Sequence, residues 1–374
     1  LKKVREEVGT PLILDSGNLF FNQNPIPDEM KAQMRLKGDL IADAYMRIGI
    51  DAMNVGELDL AIGIDYLLKK GLPLVSSNLV YGDGKTVFHP YVTREVNRVK
   101  VAIFGLISPL PPQGLGNGKG LKVLNPAETA RSMVKRLKGR ADLIILLSNL
   151  GQQDDERLAR EVQGIGVIVG GRSRVLLQTP VKVGNTLILQ AAAQGKYIGR
   201  LDFDPAARTF LNTITPMDDK VSKDEGIDGM VKRHKDAVAG LHAEAPRPQE
   251  PSLKTFMGEA ACAKCHPGQS SFWKGTGHAR AYETLVKKNS QRDPECVRCH
   301  TTGYGIPGGF RLGLETPDLK GVQCESCHGQ GSSHRGKGDI RRIVDESVCR
   351  GCHDAERSPR FNLISSIGKV RCQK

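Results

Sequence analysis

Cys262-Ala263-Lys264-Cys265-His266 is the first of four copies of one pattern; the others are Cys296-Val297-Arg298-Cys299-His300, Cys324-Glu325-Ser326-Cys327-His328 and Cys349-Arg350-Gly351-Cys352-His353. Their spacing decides how the last third of the chain can fold. Cys-x-x-Cys sets two thiols on one helical turn, where they can add to the two vinyl groups of a haem. The histidine that follows then lies under the iron as proximal ligand. At this cysteine and histidine content, chance supplies on the order of 0.005 such motifs in the chain. A zinc knuckle also uses Cys-x-x-Cys and is the surviving alternative, but it does not require histidine directly after every second cysteine. A thioredoxin-like redox pair would be a single motif beside a βαβ unit. The pattern therefore predicts four covalent c-type haems. They attach through Cys262, Cys265, Cys296, Cys299, Cys324, Cys327, Cys349 and Cys352, with His266, His300, His328 and His353 as proximal ligands.

Each motif has fewer than about 35 residues of chain around it, too few to bury a core of its own. The haems must be the core, packed nearly against one another, as an electron relay requires. The chain has nine histidines, so five remain after the proximal four. His278, in Gly277-His278-Ala279-Arg280, and His334, in Ser333-His334-Arg335, lie within the motif region and read as distal ligands rather than as surface histidines. His234 sits at the centre of an apolar helical stripe of Ile227, Met230, Val231, Val238 and Leu241, with His242 at its edge. These two are either core or interface histidines or further ligands. His89, next to Pro90, reads as a loop residue. Cys372 is left over: a free thiol, an intermolecular disulfide, an unusual ligand, or a terminal residue without a role.

No cysteine precedes Cys262, which argues against a disulfide-stapled fold. Hydrophobic residues make up 39% of the 374-residue chain, enough for an ordinary core. No apolar run approaches the roughly 18 residues of a membrane helix; the longest, 99–110, is broken by Gly105. The formal charge of +13 invites a nucleic-acid reading. Four haems would add about eight propionates, leaving about +5 before the iron is counted, and no nucleic-acid-binding motif is present. The first residue is Leu1 and no basic, apolar leader is visible, which reads as a mature or trimmed product.

Residues 1–215 read as one α/β domain. Strand candidates at 11–14, 52–55, 99–106, 142–148 and 166–170 alternate with helix candidates at 28–48, 58–70, 126–138 and 154–162. Such alternation predicts a layered sheet covered by helices. Strands alone follow, at 181–183, 186–191, 199–203 and 209–214. Residues 216–255 form a connector: a helix over 227–241, then a stiff proline-rich stretch over 243–251. Residues 256–374 form the mostly helical or irregular haem domain, where regular patterns fade.

The run from Phe256-Met257-Gly258-Glu259-Ala260-Ala261-Cys262 through Phe272-Trp273, Gly277-His278-Ala279-Arg280-Ala281-Tyr282, Cys299-His300-Thr301-Thr302-Gly303-Tyr304-Gly305 and Gln323-Cys324-Glu325-Ser326-Cys327-His328-Gly329 resembles the cytochrome c-554 family. The resemblance implies a tetrahaem electron carrier in which the second haem can lack a sixth protein ligand.

The first half is similar to calcineurin-like metallophosphatases of the 5′-nucleotidase branch. The carrying segments are Leu12-Ile13-Leu14-Asp15-Ser16-Gly17-Asn18-Leu19-Phe20, Asp51-Ala52-Met53-Asn54-Val55-Gly56-Glu57-Leu58-Asp59, Ile145-Leu146-Leu147-Ser148-Asn149-Leu150-Gly151 and Val169-Gly170-Gly171-Arg172-Ser173-Arg174, with the run from Val183 to Phe203. That family holds two metal ions with Asp, His and Asn ligands and activates water against phosphate. Here Asn18, Leu58, Asn149, Arg172 and Arg174 stand where the resemblance places ligand or catalytic residues. Arginine stays protonated and cannot ligate a metal. Hydrolysis is therefore not expected, and the two arginines are expected to fill the space of the lost cations and pair with Asp15.

Three functions follow as expectations. The first is a carrier that passes electrons between redox partner proteins or extracellular acceptors. The second is a haem enzyme reducing a small nitrogen or oxygen species at an open iron. The third is a subunit of a head-to-tail cytochrome filament. Haem is attached outside the cytoplasm, so the location is periplasmic, cell-surface or extracellular.

Overall fold

The computed structural model describes residues 1–109, 120–243, 255–312, 319–332, 334, 340–341, 344–354, 357–358 and 360–371, with only the backbone at 242 and 243. The chain divides into two units, Leu1–Val231 and Lys232–Lys374. In chain order the first unit contains α1 (Lys2–Val8), β1 (Leu14–Asp15), α2 (Lys31–Ile48), β2 (Ala52–Asn54), α3 (Ile64–Leu68), β3 (Leu74–Val75), β4 (Leu79–Val80), β5 (Tyr91–Val96) and β6 (Val99–Ile107). It continues with β7 (Lys122–Val123), α4 (Pro126–Leu137), β8 (Leu143–Asn149), α5 (Gln152–Glu161), β9 (Val167–Gly170), β10 (Val181–Val183), β11 (Thr186–Leu189), β12 (Tyr197–Asp204) and β13 (Thr209–Pro216).

Two sheets organise this unit. β1, β2 and β3 pair in parallel, and a second sheet has the order β10-β11-β9-β8-β6-β5. The second sheet is parallel from β6 through β8 and β9 to β11, with antiparallel β5 and β10 at its edges. The period-two rule of a strand sorts its side chains between two cores. Val101 and Ile103 of β6, with Leu143, Ile145 and Leu147 of β8, face Ala52 and Val75 of the three-stranded sheet. Ala102, Phe104 and Leu106, with Ile144 and Leu146, face Ala130, Met133 and Leu137 of α4 and Leu158 and Ala159 of α5. A third core sets Met34 and Ala42 of α2 and Leu67 of α3 against Met53 and Leu74. The result is a four-layer α/β sandwich. Parallel strands covered on both faces explain why β6 and β8 read as nearly continuous apolar runs.

Local chemistry agrees with this layering. Pro126 occupies the first turn of α4, and Asn125 Oδ1 accepts the Glu128 N–H (3.1 Å), satisfying a donor that the helix cannot. β12 and β13 form a separate antiparallel hairpin.

The second unit takes in most of α6 (Glu225–Ala243), then α7 (Glu259–Ala263), α8 (Pro267–Lys274), α9 (Ala281–Lys287), α10 (Pro294–His300), α11 (Cys324–His328), α12 (Glu346–Arg350) and α13 (Leu363–Ser366). The faded pattern after Phe256 thus resolves into helices of one or two turns, too short to display a 3.6-residue period. Among the described residues the buried apolar cluster of this unit is Leu285, Val297, Phe310 and Leu319, and Val238 of α6 is also buried. So few buried apolar side chains cannot offset the entropy of ordering a segment of this length. The proline-rich stretch lies outside the described residues apart from the backbone at 243.

Candidate functional site

Each Cys-x-x-Cys-His motif begins in a short helix. The His266 N–H donates to Cys262 O (2.9 Å) and the His353 N–H to Cys349 O (2.8 Å), so one α-turn closes the first and fourth motifs. Asp293 caps α10 through the Glu295 N–H (2.9 Å), and Asp345 caps α12 through the Ser347 N–H (2.8 Å). These caps start a helix where the sequence is too short to sustain one by propensity.

Backbone carbonyls fix the tautomer of two of the motif histidines. His300 Nδ1 donates to Ala281 O (2.8 Å) and His328 Nδ1 to Arg341 O (2.6 Å). A carbonyl only accepts, so Nδ1 carries the proton and the Nε2 lone pair is left for iron. His353 Nδ1 contacts Ser358 Oγ at 3.0 Å.

Two rings face a second imidazole. The ring centres of His266 and His334 are 6.5 Å apart with an interplanar angle of 22°; those of His278 and His353 are 6.1 Å apart at 36°. An ion bound to two imidazole nitrogens at about 2 Å each, with about 1.1 Å from nitrogen to ring centre, would set the centres about 6.2 Å apart. Burial, and then the neighbouring His353, lower the His278 pKa, which favours the neutral form that ligates metals. His334 Nδ1 is buried without a hydrogen-bond partner.

The thiols also converge. Cys262 hydrogen-bonds with Cys324 and Cys299 with Cys352, which places the first motif against the third and the second against the fourth. As a free thiol, Cys299 is lowered to about 6, chiefly by the Cys352 hydrogen bond. Burial, followed by Asp293, pushes Cys296 up to about 12, and the Cys299 hydrogen bond raises Cys352. Thiol pairs, oriented proximal imidazoles, paired rings and a sparse apolar core all fit covalent haem.

The remaining expected residues are placed as follows. His234 is half-buried and, with Val238, Asn289, Ser290, Arg292 and Asp293, lines a cavity of about 20 Å³ beside the cap of α10. Lys235 Nζ donates to Lys288 O (2.6 Å) and Asn289 Nδ2 to Asp236 Oδ1 (3.3 Å), holding α6 on this loop. The His242 side chain and Cys372 lie outside the described residues. His89 is exposed, and its backbone bridges Val75.

A second cluster gathers in the first unit at the carboxyl ends of parallel strands, where α/β sheets place their ligand sites. Asp15 ends β1, Asn54 ends β2, Asn149 ends β8, and Gly171–Arg174 follow β9. Asp15 accepts the Gly17 N–H and the Tyr45 hydroxyl (both 2.8 Å); burial raises its pKa despite these bonds. Asn18 Oδ1 is spent on the Leu58 N–H (2.9 Å). Asn54 Nδ2 donates to Leu106 O (2.8 Å), while the Asn54 and Asn149 Oδ1 atoms are buried without partners.

Arg172 does not pair with Asp15, contrary to the expectation from sequence. It donates to Glu57 Oε2 at 2.8 Å. The reason is position: Asp15 is already engaged under the Gly17 turn and Tyr45, whereas Glu57 offers a part-exposed carboxylate beside the arginine. Among the described residues no three His, Cys, Asp or Glu side chains are placed to hold a metal ion. At these positions the Asn18 oxygen is already engaged, and Arg172 and Arg174 are of a type that does not ligate metals. Sequence reasoning also missed the anchor beneath it: Asp59 is fully buried and accepts the N–H groups of Asn18 (2.7 Å), Leu19 (2.8 Å), Phe20 (3.0 Å) and Gly56 (2.8 Å).

Residues 261–329 match the family model described as cytochrome c554 and c-prime, a span that takes in the first three motifs and ends before the fourth. Over 96 residues the chain is 41% identical to cytochrome c-554 of Nitrosomonas europaea, covering 22% of this chain and 41% of that protein. Over 240 residues it is 27% identical to a 5′-nucleotidase of Vibrio cholerae, covering 54% of this chain and 42% of that protein. The solved structure of a 5′-nucleotidase precursor from Thermus thermophilus aligns with a TM-score of 0.55 at 25% identity, covering 64% of this chain and 52% of that one. The chain spans about two-fifths of the length of these curated relatives. It therefore joins an α/β region similar to metallophosphatases of the 5′-nucleotidase type to a region similar to the c-type cytochrome c-554.

Proposed function

We propose that the chain is an extracytoplasmic electron carrier in which four covalent c-type haems form a relay, borne on a phosphatase-like scaffold that does not hydrolyse. The observation that carries this reading is the pairing of motifs: first against third and second against fourth, with His334 facing His266 and His278 facing His353. Haem iron supplies one-electron chemistry when bound. The chain's own residues fix and orient it: eight cysteines tether, Nδ1 contacts to carbonyls hold two proximal rings in the ligating tautomer, and His278 and His334 complete two iron sites. The scaffold is assigned to 1–215, the connector to 216–255 and the haem domain to 256–374. Thioether attachment outside the cytoplasm supports a periplasmic, cell-surface or extracellular location. The partners are redox proteins or extracellular acceptors, and self-association would extend the relay.

A second reading rests on His300 and His328. His278 and His334 serve the other two motifs, so an iron on either of these could keep an open face for a small nitrogen or oxygen species unless His234 or His242 fills it.

Intact mass of the purified protein tests the main reading. It should exceed the peptide mass by four haems that survive denaturation; haem extractable by acid acetone would overturn it. The scaffold half is tested by supplying manganese, zinc or calcium with nucleotides. No turnover is expected, and turnover abolished by Asp15→Ala would show a working site.

A further inference from the structure

Glu325 occupies a spacer position of the third motif, where a side chain has no part in haem attachment. Yet it is only 2% exposed. Its two carboxylate oxygens accept four hydrogen bonds from three backbone N–H groups. Met257 donates to both (2.9 Å each), Gly258 to Oε2 (2.8 Å) and Gly331 to Oε1 (2.7 Å). Charge-assisted bonds of this kind are shorter and stronger than neutral ones, and a buried carboxylate must have them.

The donors belong to two segments with one destination. Met257 and Gly258 lead directly into α7, which carries Cys262 and delivers His266; Gly258 is the residue that caps it. Gly331 opens the turn that ends in His334, whose N–H returns to Gly331 O at 3.0 Å. His266 and His334 are the two rings that face each other at 6.5 Å. We infer that Glu325, though part of the third motif, is the positioning residue for the His266–His334 pair at the first. Its carboxylate ties the entry to one imidazole and the turn of the other to a single rigid point. This inference rests on the haem reading above.

The test uses the full haem-loaded protein. Glu325→Gln keeps the length of the side chain but removes the charge and one strong acceptor. Haem count by mass should stay at the wild-type value, because no tether is touched. One haem should lose its six-coordinate low-spin signature, by optical and electron paramagnetic resonance spectra, while the others keep theirs. His334→Ala should produce the same change, and the double variant should add nothing to either. If Glu325→Gln leaves every haem as in wild type, the inference fails; if all haems change together, Glu325 serves the whole fold and the inference also fails. Should that variant not accumulate, Gly331→Ala decides. A Cβ there would sit 3.1 Å from Glu325 Oε1, nudging the same clasp, and should perturb the same single haem; no change in any haem, or a change in several, overturns the inference. Wild-type protein without covalent haem would instead overturn the underlying reading.

Discussion

Strand β8 buries all seven of its residues, whereas α7, which carries the first motif cysteine, buries none among its five. The first region is stabilised by its own side chains: three apolar clusters stacked between two sheets and two helix layers. In the second region, short helices present thiols and imidazoles toward one another, and the buried hydrophobic side chains among those described are Val238, Leu285, Val297, Phe310 and Leu319. The difference teaches where each region's stability must come from. The first has a core made of its own side chains; the second, on the haem reading proposed above, would supply a cage and depend on what the cage holds, as small metal- and cofactor-dependent domains do.

The sharpest way to break this contrast is to withhold haem. Expressed without haem attachment, residues 232–374 should lose protection from proteolysis and hydrogen exchange altogether, while 1–231 keeps its cooperative melt. A second region that stayed protected would show that its side chains suffice.

The complementary substitution is Leu146→Ala, at a fully buried position between β8 and the helices of the first unit. It should cost that unit about 3–5 kcal/mol in urea unfolding, with the haem spectra unchanged. Coupled loss of the haem signature would show that the two regions do not fold independently.

A smaller effect concerns buried carboxylates. Burial pushes Asp155 up to about 7 and Asp59 up to about 6, against an ordinary value of 3.8. Between about pH 4 and pH 7 the folded unit holds protons that the unfolded chain has released, so stability falls as pH rises through this window. Asp155→Asn removes one of these groups and should flatten the decline by about 1–3 kcal/mol, read from urea midpoints across the window. A wild-type stability that instead rose over this range would mean that these carboxylates are ionised in the fold.

The smallest expected effect is at the connector. His234→Met should shift the reduction potential of one haem without changing haem count or the melt of the first unit. If potentials and spectra are unmoved, His234 is a packing residue of α6.

Much of the first region was legible from local pattern. Strands 99–106 and 142–148 declared themselves as apolar runs because both faces are covered, and α4 by its helical pattern over 126–138. β3, β4 and β7, at two residues each, have no period to read. β5 was missed although a signal existed: Asn97 and Arg98 both take positive φ (51° and 68°), the two-residue turn that joins hairpin strands, and asparagine is a residue that turn favours.

At the candidate sites, the motif residues were legible and the residues that support them in space were not. Five contiguous residues suffice to write Cys-x-x-Cys-His, because two tethers and a proximal ligand must share one helical turn. Nothing local marks Glu325 as a clasp rather than a spacer, Tyr45 as the partner of Asp15, or Glu57 as the partner of Arg172. Those pairings join residues far apart in the chain, and only packing decides which side chains meet. The sequence by itself determined which residue types stand at each Cys-x-x-Cys-His motif and at Asn18, Leu58, Asn149, Arg172 and Arg174 of the phosphatase-like segments. The tertiary structure alone decided that the ring of His334 lies near that of His266 and the ring of His278 near that of His353, because such neighbours are set by distance in space, and burial sets which polar groups must be satisfied there.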